Sequence, residues 1–169
     1  MDFTGEFDVI FSNAALHWVK DHESLLRNSL AALKKNGLIR WNFGGDGNCA
    51  NFINTVRTVM HEDDYQGYFV DFDWPWFMPT QDEYATILAN AGFSKVRLEL
   101  ENADRYFADR DEMIKWIDQP SLVPFMEHLP PQLRAGFRTA VIELMVQAAE
   151  QPDGRCFETF RRIDVKGCK

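Results

Sequence analysis

The segment Phe7-Asp8-Val9-Ile10-Phe11-Ser12-Asn13-Ala14-Ala15-Leu16-His17-Trp18-Val19 constrains the fold more than any other part of the chain. Its apolar run Val9-Ile10-Phe11 does not alternate with polar residues, the pattern of a parallel strand covered on both faces. The run stops at Ser12-Asn13-Ala14-Ala15, residues small enough to let a ligand approach the backbone. In open α/β sheets ligands lie outside the carboxyl ends of strands, so a site is expected here. Asp21-His22-Glu23-Ser24 opens a helix whose Leu25, Leu26, Ser29, Leu30 and Leu33 share a face, and Lys34-Lys35-Asn36-Gly37 reads as its stop. Residues 38–43 form the next strand, broken by Gly44-Gly45-Asp46-Gly47-Asn48. Strand, helix and strand with short connections make a right-handed βαβ unit.

Further along, residues 50–60 space Phe52, Val56, Val59 and Met60 for a helix. The stretch from His61 to Pro79 is acidic, then aromatic, and irregular; Phe72, Trp74, Trp76 and Phe77 either cover a site or plug a core beneath a long loop. Thr80-Gln81-Asp82-Glu83 is a capping box, and its helix ends at Gly92. Val96, Leu98 and Leu100 alternate with charged residues, as in a strand wet on one face. A short helix starts at Asp109 and stops at Gln119-Pro120; a longer one runs from Gln132 to about Glu150. The alternating residues 156–165 return antiparallel between earlier strands.

With 169 residues, 46% of them hydrophobic, the chain can bury a single core and is too apolar for intrinsic disorder. No stretch is long enough to cross a bilayer, and residues 1–6 lack the features of a secretory leader, so the expected location is cytoplasmic, with no membrane partner. A net charge of −8 argues against nonspecific nucleic-acid binding. Cys49, Cys156 and Cys168 are widely spaced, which predicts reduced thiols and no metal site.

Several of these residues also carry a family resemblance. The run from Phe7 to Val19, the helix ending Leu33-Lys34-Lys35-Asn36-Gly37 and Leu38-Ile39-Arg40-Trp41 resemble the fourth strand, following helix and fifth strand of class I S-adenosylmethionine-dependent methyltransferases. The likeness is to the branch of trans-aconitate and malonyl-carrier O-methyltransferases. Ala91-Gly92-Phe93-Ser94-Lys95-Val96 resembles the junction before the sixth strand, and the final return resembles the closing strand. The resemblance implies an α/β, partial Rossmann-like methyltransferase fold. About four strands, family strands 4-5-7-6, would stand with helices and a helical insertion, residues 1–169 forming one domain equivalent to the carboxyl-terminal half.

S-adenosylmethionine is the cofactor the resemblance implies. Ser12, Asn13 and Ala14 would lie beside its methionine portion, while His17 and Trp18 face the reacting region. His17 would then orient a substrate carboxylate or act as a base; as a plain structural residue it would pack, with Trp18, at the strand-to-helix junction. Candidate substrate-binding residues are Trp18, Trp41, Trp74, Trp76, Arg105 and Tyr106, and Arg40, Arg161 and Arg162 are further candidates for an anion. Arg161 and Arg162 point to opposite faces of a strand.

The resembling enzymes hold the cofactor with an acidic-Gly-x-Gly loop and a ribose-binding acidic residue, neither of which has a counterpart in these 169 residues. Gly44-Gly45-Asp46-Gly47 follows the wrong strand and lacks the spacing of a cradle. Three readings therefore stand: a portion of an enzyme that O-methylates a small carboxylic acid or acyl substrate, a noncatalytic interaction protein, or one subunit of a split methyltransferase. The bared edge at Val9-Ile10-Phe11 predicts a homodimer, symmetric or domain-swapped, unless loops or the helix at Asp109 to Gln119 fold back over it.

Overall fold

In the computed structural model residues 3–169 are described; Met1 and Asp2, part of the segment read for a leader, lie outside the described residues. The chain divides into two compact units, one of residues 3–48, Trp76–Ala103 and Arg161–Lys169, the other of Cys49–Pro75 and Asp104–Phe160.

The first unit is a four-stranded sheet with two helices. Strand β1 (Phe7–Asn13) leads through a 3-10 turn at Leu16–Trp18 into helix α1 (His22–Ala32), and strand β2 (Leu33–Gly44) follows. Helix α3 (Gln81–Ala91) comes after the intervening helix α2 (Ala50–Met60), then strand β3 (Ser94–Asn102), and the carboxyl-terminal strand β6 (Arg161–Cys168) closes the sheet. β1 pairs parallel with β2, and β6 inserts antiparallel between β2 and β3. The resulting order β1-β2-β6-β3 is the 4-5-7-6 arrangement that the resemblance implies. On the covered side Ile39, Trp41, Phe43, Ile163 and Val165 pack against Leu26, Tyr84 and Leu88 from the two helices. Each fully buried side chain of this kind contributes roughly 1.5–3 kcal/mol.

Four expectations need correction here. The first helix ends at Ala32 rather than at Gly37, because Leu33 is already extended and pairs with Phe7. Residues 34–37 are instead a bulge in β2, with Asn36 at a φ of 66°. Glycine suits position 37 because a Cβ there would stand a tight 3.0 Å from both the Lys34 and Phe7 carbonyl oxygens. β1 is covered on one face only: Val9 and Phe11 are 52% and 69% exposed on the other, where no described helix packs. The last segment is two strands, since Thr159 and Phe160 interrupt it. β3 is also more open than its alternation suggests, because it is an edge strand, and only Leu98 of its apolar residues is half-buried.

The second unit holds α2, strand β4 (Arg105–Phe107), helices α4 (Arg110–Ile117), α5 (Val123–His128) and α6 (Pro131–Ala149), and strand β5 (Cys156–Glu158). β4 and β5 form a two-stranded antiparallel sheet. α2 occupies the residues its spacing predicts, and Phe52, Val56 and Val59 on it are buried, as are Phe137, Val141 and Met145 of α6. Neither β4 nor α5 was expected; three- and six-residue elements are too short to show a period.

The amino terminus of α2 has an unusual cap. Cys49 before it adopts a left-handed φ of 53°, and its side chain does not cap the helix. Buried Glu158 takes over, accepting from Asn51 N–H at 3.1 Å and Phe52 N–H at 2.9 Å, while Thr159 Oγ1 accepts from Ala50 N–H at 3.0 Å. Burial raises the Glu158 pKa above the usual value, opposed by the hydrogen bonds it accepts. Glu158→Ala would orphan three backbone N–H donors, those of Asn51, Phe52 and Thr159, and is expected to cost about 2–4 kcal/mol in urea unfolding. Thr80→Ala, at the exposed capping box of α3, should cost only about 1 kcal/mol in the same assay.

Candidate functional site

Parallel pairing sets the carboxyl ends of β1 and β2 side by side, with Ser12 opposite Trp41 and Asn13 opposite Asn42. Ala14 then adopts a left-handed φ of 57°, a conformation that costs a non-glycine residue roughly 1–2 kcal/mol. Its N–H donates to the Asn42 carbonyl at 2.8 Å, which holds the strained residue against β2. The chain thereby leaves the sheet and enters the turn that carries His17 and Trp18.

His17 is half-buried, and Gly44 N–H at the end of β2 donates to its Nδ1 at a long 3.4 Å. Its carbonyl accepts from Phe77 N–H at 2.8 Å. Burial, then the positive charge of Arg162, then His22, lower its pKa to about 4. The imidazole is therefore neutral at pH 7; with Nδ1 acting as acceptor, its proton sits on Nε2, a hydrogen-bond donor. Trp18 is exposed beside it, its ring 5.9 Å from His17 and edge-on to Trp76 at 5.5 Å.

The first unit thus brings together Ser12, Asn13, Ala14, His17, Trp18 and Trp76. Trp41 belongs to the same unit but lies in its core, 1% exposed, and its buried indole N–H has no acceptor among the described residues. Trp74, Arg105 and Tyr106 lie in the second unit. There Trp74 packs on Phe125 at 5.5 Å with Arg57 over its ring, Arg105 pairs with Glu112, and Tyr106 lies on Phe157 with Arg155 above it.

The open face of the sheet adds residues that were not singled out together. Asn42 is their centre: its amide donates to Glu101 and Asp164, and its Oδ1 accepts from Arg162 Nε at 2.8 Å. Arg40 pairs with Asp164. A cavity of about 600 Å³ lies over this network, reached by Phe11, Asn13 and Arg97. Strand alternation was the available signal, since buried Ile163 and Val165 force Arg162 and Asp164 onto the opposite face. Among the described residues no three His, Cys, Asp or Glu side chains cluster to hold a metal, and no helix is long and apolar enough to cross a membrane.

Ser12, Asn13 and Ala14 fit one wall of a cofactor site: they are small, and Asn13 and Ala14 are exposed where β1 ends. The loop at Gly44-Gly45 does not serve as a cradle, because it is packed, a Cβ at Gly45 falling 2.7 Å from Ile163 Cγ1.

Comparison with known proteins adds independent observations. A methyltransferase-domain family profile matches residues 2–40. An uncharacterized methyltransferase of Schizosaccharomyces pombe is 26% identical over 161 residues, covering 93% of this chain and 60% of that protein. A trans-aconitate 2-methyltransferase of a Mycobacterium species is 28% identical over 161 residues, covering 94% and 63%. The chain spans about three fifths of the length of these curated relatives. Among solved structures, loganic acid methyltransferase with SAH superposes with a TM-score of 0.67 at 10% identity, covering 99% of this chain and 63% of that one. The YcgJ protein of Bacillus subtilis gives a TM-score of 0.59 at 13% identity, covering 99% and 65%.

The depressed His17 pKa has a consequence for stability. Because the folded value of about 4 lies below the ordinary 6.5, the unfolded chain takes the proton first. The His17 contribution is complete above pH 6.5 and is lost as pH falls towards 4. The slope is at most about 1.4 kcal/mol per pH unit, lessened by solvent screening. An NMR titration should place the His17 midpoint near 4, and His17→Asn should flatten the acid limb of the thermal-stability profile.

Proposed function

We propose, for a chain that belongs in sequence and fold with the class I S-adenosylmethionine-dependent methyltransferases, that it forms the acceptor-side part of an O-methyltransferase for a small carboxylic acid. The observation that carries this reading is the neutral, desolvated His17 at the carboxyl end of β1, its Nδ1 engaged by Gly44 N–H. A neutral Nε2–H donates and does not abstract a proton, so His17 orients the acceptor and is not a general base. That suits a carboxylate, which is ionised at pH 7 and has no proton to lose on methylation. The chemistry that S-adenosylmethionine supplies when bound is an electrophilic methyl group. Beside it, Ser12, Asn13 and Ala14 allow close approach to β1, Trp18 and Trp76 offer flat apolar surface, and Arg162 supplies positive potential near His17.

The similarity to trans-aconitate 2-methyltransferases supports an unsaturated polycarboxylate as acceptor. No acidic-Gly-x-Gly loop occurs in the 169 residues, and the part of a cofactor site proposed for them is the wall at Ser12, Asn13 and Ala14. The free edge of β1, with Val9 and Phe11 exposed beside it, supports a second reading in which the chain associates, as a homodimer or as one subunit of a split enzyme.

Isothermal titration of S-adenosylmethionine and S-adenosylhomocysteine into the purified chain, with light scattering in parallel, tests both readings. Micromolar binding by a dimer supports a cofactor site rebuilt by association. No binding at millimolar ligand excludes the chain alone as a methyltransferase, and a monodisperse monomer at micromolar concentration counts against the homodimer.

A further inference from the structure

We propose that His22 and Tyr84 are positioning residues for the turn bearing His17 and Trp18: the Tyr84 hydroxyl holds the His22 imidazole in one tautomer, and His22 pins the Leu16 carbonyl. The proposal rests on the reading that His17 faces the acceptor. His22, in the first turn of α1, is 2% exposed, and Tyr84, on α3, is 0% exposed, so both lie beneath the turn. His22 Nε2 stands 3.0 Å from the Leu16 carbonyl oxygen, and Nδ1 stands 2.9 Å from the Tyr84 hydroxyl.

The ring also interacts with the Val19 backbone, and the two hydrogen bonds at its nitrogens determine where the protons are. A carbonyl only accepts, so Nε2 carries the hydrogen. Burial lowers the His22 pKa, which favours the neutral ring, and burial raises that of Tyr84, which keeps its hydroxyl protonated. Nδ1 is then the bare nitrogen, and Tyr84 O–H donates to it. Hydrogen bonds thus run in one direction from α3 through α1 to the turn.

The surroundings leave the ring little freedom. Phe77 lies 4.7 Å from it, Phe43 5.2 Å and Tyr84 5.3 Å, all between ring centroids. Leu16 O also accepts from Val19 N–H at 2.9 Å, closing the 3-10 turn, while Phe77 N–H holds the next carbonyl, that of His17. Two successive carbonyls of the turn are therefore tied to groups that pack on each other. The charged groups near this arrangement are Asp21, beside His22 on α1, and Arg162 from β6, which acts on His17.

The test uses the full chain and long-range proton–nitrogen NMR of the imidazoles. In the unmodified protein His22 should show a single Nε2–H tautomer and stay neutral through pH 6.5. Tyr84→Phe preserves the packed ring but removes the donor; it should mix the His22 tautomers and raise the His17 midpoint from about 4 by about one pH unit or more, as the loosened turn admits water. His22→Leu should do the same, whereas His22→Gln, which keeps an N–H for Leu16, should leave the His17 midpoint close to that of the unmodified protein. A loss of global stability alone would not move that midpoint well below the melting temperature. The proposal is overturned if His22 is the Nδ1–H tautomer in the unmodified protein, or if the His17 midpoint stays near 4 in folded Tyr84→Phe and His22→Leu. None of these readings needs cofactor or turnover, so they stand apart from a failure of the acceptor reading, which would show as unaltered acceptor affinity in His17→Ala.

Discussion

The first unit depends on one pairing, the antiparallel insertion of β6 between β2 and β3. β3 has no other strand partner in this sheet, so without β6 it would lose its ladder entirely. The same strand carries Ile163 and Val165 into the core and presents Arg162 and Asp164 on the opposite face, where they reach Asn42 and Arg40. Core, ladder and open-face network are thus joined through a segment more than a hundred residues downstream of β2. Contacts of such separation must overcome loop-closure entropy before they yield stability, which favours folding in which β1, α1 and β2 associate first.

The candidate site inherits its geometry from this pairing. Gly44, whose N–H reaches His17, lies directly opposite Arg162 in the β2–β6 register. The group that supplies positive potential to His17 and the group that occupies its Nδ1 are therefore fixed by the same pair of strands. β1 contributes the remaining constraint: Ala14, held in a left-handed conformation by the Asn42 carbonyl, ends the strand and launches the turn. Because Asn42 accepts from Ala14 through its backbone and from Arg162 through its side chain, one residue couples the end of β1 to β6.

Much of this architecture was legible from residue pattern. The spacing of Phe52, Val56 and Val59 marked α2, Thr80 and Glu83 marked the start of α3, and the resemblance carried the strand order. What escaped was decided by tertiary contact. Leu33 continues the apolar face of α1 in sequence, yet it joins β2 because Phe7 is there to pair with it. Val9 and Phe11 read as doubly covered because hydrophobicity reports a preference for burial, not whether a covering element is present. In the candidate site, the strand end at Ser12–Ala14 and the His17–Trp18 pair announced themselves, whereas Asn42 and Tyr84 did not. An asparagine on a strand and a tyrosine on a helix face carry no local signature of their partners, and His22 read only as part of a helix start.

A neutral donor at His17 also suits the energetics of the proposed reaction. When a carboxylate attacks a sulfonium methyl group, opposite charges cancel on the way to the transition state. A full positive charge bonded to the nucleophilic oxygen would stabilise the ground state more than the transition state and so slow the step. A neutral Nε2–H orients the same oxygen with a smaller penalty of that kind, and positive charge serves better at a second carboxylate that does not react. The chain as a whole carries a charge of −8, but at physiological ionic strength such charge is screened beyond about 8 Å, so an anion responds chiefly to its nearest groups. In the proposed reaction, burial that keeps His17 uncharged, with Arg162 close by and engaged with Asn42, would separate orientation of the reacting oxygen from attraction of the anion.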